Sequence, residues 1–135
     1  MDPVMIDAAL EGLRLVFSWP YILYPLAATL IAMLFSAAPG LNSSTLMALL
    51  IPLTYAWEPL PVMLVFGALV GGATFMGSAT AILFNIPGKA SNAVTLLDGY
   101  PMTRQGQAKT AIGCAAAASA LGSTLGIGVL IAMLP

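Results

Sequence analysis

The sequence predicts an all-α, polytopic integral membrane protein with one Pro/Gly-broken or re-entrant helix. Three observations carry this. Hydrophobic residues make up 60% of the 135 residues and charged residues 7%, against roughly 25% charged in soluble domains. That leaves too little polar surface to disperse such a chain in water. The few charges cluster at Asp2 to Arg14, at Glu58 and between Lys89 and Lys109, with none from Leu15 to Trp57 or from Thr110 onward. Finally, Pro39-Gly40-Leu41-Asn42-Ser43-Ser44-Thr45 interrupts the first uncharged stretch. Lipid offers no partner to a freed N–H or C=O, so irregular backbone survives at membrane depth only inside protein or beside a wet cavity.

Residues 1–18 form the first unit. Apolar Val4, Ile6, Leu10, Leu13 and Phe17 alternate at helical spacing with Asp7, Glu11 and Arg14, which share one face. This is the pattern of an amphipathic helix lying at the membrane interface. The acidic start and the lack of a short apolar core with a small-residue cleavage site do not fit a cleavable signal. Trp19-Pro20-Tyr21 then supplies interfacial aromatics and a helix-starting proline.

Residues 19–135 form a partial transmembrane domain. Its first span is expected over about 21–38, just long enough to cross. The next apolar segment, 42–56, carries Pro52 and covers about 22 Å against a hydrocarbon core of ~30 Å, so it reads as a half-helix or re-entrant limb. Glu58-Pro59-Leu60-Pro61 reads as a turn. A span over 60–84 follows, loosened by Gly71-Gly72 and Gly77, with Gly67 and Gly71 spaced for close helix contact. Residues 85–109, with Pro87-Gly88 and Asp98-Gly99 turn signals, form a structured cytoplasmic loop. The last span runs over 110–134, with an Ala118/Gly122/Gly126 stripe. Placing Arg14 with Lys89, Arg104 and Lys109 on the cytoplasmic side requires two crossings between them, 21–38 and 60–84, with 42–56 dipping in and returning.

With no histidine in the chain, Ser-His dyads, imidazole metal sites and imidazole relays are excluded. Ser78 has no base beside it in the sequence, and Asp98 has no facing carboxylate, so an enzyme is not expected. Cys114 is the lone cysteine, in an Ala-rich run, and reads as packed and inert. The absence of a basic cluster gives no sign of nucleic-acid binding. No cofactor is implied.

The candidate substrate- or ion-binding residues lie in two groups. In the first, Asn42 capping helix 42–56 would aim the first N–H groups and the positive dipole end into the break at Gly40, an arrangement that receives carboxylates. Ser43, Ser44 and Thr45 add hydroxyls there. The bland reading is a helix cap on an interfacial turn. In the second, Gly77, Ser78 and Thr80 sit on the glycine-rich span, and Asn85 closes it with an amide. There the bland reading is hydroxyls bonded back to the preceding turn.

Five segments carry a resemblance: Pro39-Gly40-Leu41, Ile51-Pro52-Leu53-Thr54, Gly77-Ser78-Ala79-Thr80-Ala81-Ile82-Leu83, Asn85-Ile86-Pro87-Gly88 and Asp98-Gly99-Tyr100-Pro101-Met102. In this order the chain resembles, over about residues 20–130, the N-terminal part of the large permease subunit of tripartite tricarboxylate transporters, the TctA-like family. The resemblance implies a multi-pass permease of the bacterial inner membrane. It would take up tricarboxylates or related carboxylates on a Na+ or H+ gradient. A small membrane subunit, a periplasmic solute-binding protein and the remaining permease half would be its partners. Asn42, Ser36 and Phe75-Met76 stand where the family usually has smaller or different residues. The chain is several times shorter than such permeases, so a fragment is expected. The alternatives are a non-transporting membrane scaffold and a truncated, inactive permease remnant.

Overall fold

The structure is a computed structural model that describes residues 3–38 and 40–133, with side chains from Ile6 onward. Pro39 of the expected break, the Val4 side chain and Leu134 at the end of the last expected span lie outside the described residues. The described chain is all-helical: α1 (Pro3–Val16), α2 (Leu23–Ser36), α3 (Ser43–Thr54), α4 (Pro59–Phe84), a 3-10 turn (Ala90–Asn92), α5 (Thr95–Arg104) and α6 (Ala108–Met133). Two of these, α4 and α6, are long and apolar enough to cross a membrane.

Helix boundaries follow local chemistry. Pro59 starts α4, where a proline's missing N–H costs nothing. The expected turn at Glu58–Pro61 therefore narrows to Glu58, with the two prolines inside the first helical turn. Asn85 ends α4 in the left-handed region at φ 60°, a conformation asparagine tolerates better than most residues. Gly40 takes φ 90° between α2 and α3.

The expected span at 21–38 shortens to the 14 residues of α2, and α3 has 12. At 1.5 Å per residue these reach about 21 and 18 Å, less than the ~30 Å hydrocarbon core. They run antiparallel as a hairpin. Tyr24 at the start of α2 meets Trp57 just before α4, with ring centroids 6.2 Å apart. Further along, Thr29 and Ala32 lie against Gly72. Thus α2 and α4 run parallel and α3 returns between their starts. This corrects the expectation that 21–38 and 60–84 cross in opposite directions. Leu46 of α3 joins Ala28, Ala32, Val65, Leu69 and Ala73 in one buried cluster. Small residues on α2 let the pair approach, which is how helices associate where lipid removes the hydrophobic drive.

Helix α4 is unbroken through Gly71, Gly72 and Gly77, so these glycines do not loosen it. Gly72 and Gly77 admit neighbours instead. A Cβ on Gly72 would stand 2.9 Å from Thr29 O, and one on Gly77 would stand 2.5 Å from Asn92 Nδ2. Gly67 and Gly71, the pair expected at a contact, are exposed with nothing within 4 Å. The same holds for Gly122 and Gly126 on α6.

Residues 85–109 form a docked segment that is partly helical. The chain reverses at Asn85, and Gly88 N donates to Gly77 O at 3.4 Å. Helix α5 then packs on the C-terminal half of α4, with Gly99 against Ile82 and Thr103 Oγ1 donating to Ile82 O at 2.7 Å. Helix α6 leaves from this end. Ala111 is its one buried residue, and every described residue beyond Ser119 is exposed.

Candidate functional site

Two irregular segments stand about level with Gly77 of α4, one from each end of the helix. Residues 37–38 and 40–42 lie at the tip of the α2–α3 hairpin. Because Gly72 faces Thr29 and Ala32, Ser36 one turn further along α2 stands about level with Gly77. Residues 86–92 come down from the other end of α4, and Gly88 packs directly on Gly77.

At the hairpin tip, Asn42 is the N-cap of α3. Its Oδ1 accepts from Thr45 N at 3.1 Å and from Thr45 Oγ1 at 3.4 Å. Ser43 is buried, whereas Gly40, Ser44 and Thr45 are exposed. The structure therefore brings Gly40, Asn42, Ser43, Ser44 and Thr45 together around one helix start. Replacing Asn42 by alanine removes a cap and is expected to cost about 1 kcal/mol of stability. The thermal midpoint of the purified chain, followed by circular dichroism in detergent, measures it. Beside the tip is Ser36, 2% exposed, whose Oγ has no hydrogen-bond partner. A helical serine commonly bonds back to its preceding turn, and a buried polar atom left alone is costly.

The second expected group divides. Thr80 is buried and its hydroxyl donates to Gly77 O at 3.0 Å, the back-bonded arrangement. Ser78 Oγ donates to Thr74 O at 3.4 Å and lines a cavity of about 420 Å³ between α4, α5 and α6 with Asp98, Cys114 and Ser119. Cys114 is exposed rather than packed in an interior, because α6 meets its neighbours only near its start. Gly77 is covered by Gly88 and Asn92. Asn85 is an exposed helix cap eight residues beyond Gly77, about 12 Å along α4. The structure does not gather it with the others.

Three residues, Thr74, Lys89 and Asn92, hold this region together. Lys89 Nζ donates to Thr74 Oγ1 at 2.8 Å, and that hydroxyl donates to Val70 O at 2.6 Å. Asn92, 4% exposed, donates from Nδ2 to Thr74 O at 3.3 Å. Thr74 is thus a node joining the returning segment to the helix. The available signal was the paired glycines: Gly88 immediately precedes Lys89, and a glycine on each side of a contact permits backbone to approach backbone.

With this geometry in place, comparison with known proteins adds the family. Residues 22–135 match the model described as the Tripartite tricarboxylate transporter TctA family. The chain belongs to that family. It is a family of transporters and not of enzymes. A relative from Agrobacterium vitis, described as an uncharacterized 52.8 kDa protein in the TAR-I ttuC' 3'region, is 40% identical over 94 residues. That match covers 70% of this chain and 18% of the relative, so this TctA-family chain spans well under two thirds of the length of the curated relative it matches. No solved structure matches.

Proposed function

We propose that this TctA-family chain is part of the permease of a tripartite carboxylate transporter, a multi-pass protein of the bacterial inner membrane. It takes up tricarboxylates or related carboxylates, driven by a Na+ or H+ gradient. A small membrane subunit and a periplasmic solute-binding protein complete the system. The remaining permease covers the outer two-thirds of α6, which is exposed among the described residues.

The observation that carries this reading is the return of a non-helical segment, residues 86–92, onto one long apolar helix, with the tip of the α2–α3 hairpin at a similar level. Helix α4 is 26 residues long, about 39 Å, enough to cross the ~30 Å hydrocarbon core. Around Thr74–Gly77 it meets residues 86–92, while the hairpin tip stands about level with Gly77. Broken backbone at membrane depth is tolerated where it lines a solute path, and transporters place substrate and ion sites there. In this reading α2 and α3 form a re-entrant hairpin and α4 crosses once. Arg104 and Lys109 then lie on the cytoplasmic side and Arg14, on the interfacial helix α1, on the other.

Substrate carboxylate is received at the start of α3, by its first N–H groups and the hydroxyls of Ser43, Ser44 and Thr45 beside Gly40 and Asn42. The unpartnered Ser36 hydroxyl at the same level supports this, as a polar group held ready for a ligand. Ser78 lines the separate cavity between α4, α5 and α6, and Gly77 packs under Gly88 and Asn92. Citrate uptake by cells carrying the complete transporter tests the assignment. Ser43→Ala and Thr45→Ala are each expected to raise KM about tenfold, the worth of a hydrogen bond to a charged group. An unaltered KM in both removes these hydroxyls from the site.

A further inference from the structure

The geometry points to Lys89 as the cation that binds a substrate carboxylate near the middle of the membrane, held in waiting by Thr74. The assignment rests on the carboxylate-permease reading above and adds to it the charged group, which lies on the opposite segment from the hairpin tip.

Depth is the first reason. Thr74 stands about 4 Å from the midpoint of α4, so a side chain bonded to its hydroxyl lies near the bilayer centre whenever α4 spans. The polar sequence around Lys89 would place it outside the membrane, and it reaches this depth only because residues 86–88 fold back along α4 and Gly88 stacks on Gly77. A lysine at that depth is expensive, and such residues as a rule face a cavity or partner and serve function.

Its partner set is the second reason. The hydrogen bond of Lys89 goes to a neutral hydroxyl, Thr74 Oγ1, at 2.8 Å. The acidic residue nearest in sequence, Asp98, lines the cavity on the α5–α6 side with Ser78, and Lys89 is not among that cavity's walls. An ammonium has three donors, and a carboxylate would complete them with charge-assisted bonds, roughly twice as strong as neutral ones.

Access is the third. Lys89 is half-buried, and the α4 face bearing Thr74 continues through Gly71 and Gly67, both exposed with nothing within 4 Å. An anion can approach over this smooth face. Thr74 holds the ammonium when no anion is present and is the positioning residue.

Two measurements decide it. In the complete transporter, Lys89→Met is expected to raise the KM for citrate uptake about tenfold or more, with Lys89→Arg close to wild type. A wild-type KM in Lys89→Met overturns the assignment and leaves the permease reading standing. Absence of citrate uptake in the wild type overturns both. The second measurement needs no variant. In membranes containing the intact chain, citrate is expected to slow modification of Lys89 by an amine-reactive acylating reagent while leaving Lys109 unaffected, read by mass spectrometry. Equal rates with and without citrate at Lys89, or equal protection of both lysines, overturn it.

Discussion

Gly88→Ala is expected to detach residues 86–92 from α4 and to be the most damaging single methyl group in the chain. The added Cβ would stand 2.6 Å from Gly77 Cα and 3.6 Å from Gly77 C and O. These are backbone atoms of a continuous helix, so no rotamer change relieves the overlap. The segment must lift, and with it go three hydrogen bonds: Gly88 N to Gly77 O, Lys89 Nζ to Thr74 Oγ1 and Asn92 Nδ2 to Thr74 O. Hydrogen bonds between membrane helices average about 0.6 kcal/mol, and overpacking adds about 1–3 kcal/mol. The combined loss is about 3–5 kcal/mol. Denaturation of the purified chain by sodium dodecyl sulfate, followed by circular dichroism, measures it, and faster acylation of Lys89 reports the lifted segment. Gly122→Ala, where nothing lies within 4 Å, is the matched control, and its midpoint should not fall. Equal behaviour of the two variants would mean that Gly88 does not touch α4.

The second large effect separates two adjacent glycines. Alanine is preferred over glycine inside a helix by about 1 kcal/mol, so Gly71→Ala, pointing into open space, should be neutral or slightly stabilising. At Gly72 the same change puts Cβ 2.9 Å from the backbone oxygen of Thr29, with Thr29 Cγ2 and Ala32 Cβ at 3.2 and 3.3 Å. The clash outweighs the propensity gain, because α2 must move away from α4 along the face carrying Ala28, Ala32 and Ser36. Gly72→Val makes the effect unambiguous, with an expected loss of about 2–4 kcal/mol and a hairpin splayed from α4. A disulfide engineered between α2 and α4 near Ala28 and Leu69 would then form slowly in the Gly72→Val background and quickly in the Gly71→Ala background. Similar rates in both would place the α2–α4 contact elsewhere.

Much of the helical layout was legible in the residues. Pro39-Gly40 separates two apolar segments, Asn42 stands where a cap is needed, Pro59 opens a helix, and the charge-free run after Lys109 is long enough to cross. These are local properties: a dihedral preference, a missing N–H, the transfer of a side chain from water to lipid. Each is decided within one turn of the chain. The stretch 21–38 is trimmed on the same scale, because two residues at each end of it lie outside the helix and leave only 14 in it. Hydropathy reports composition and so hides the helix in the polar stretch 85–109, where α5 carries Thr95, Asp98, Thr103 and Arg104 within ten residues.

By itself, then, the sequence determined an all-helical, apolar chain, its main helix starts and stops, and its family. Tertiary structure alone decided that α2 and α4 run parallel, that Gly72 rather than Gly71 meets a neighbour, and that Lys89 sits beside the middle of α4. The physical reason is that adjacent helix positions point about 100° apart, so the face that finds a partner depends on how whole helices pack. A lysine's depth likewise depends on where backbone can approach backbone, which required Gly77 and Gly88, eleven positions apart, to meet.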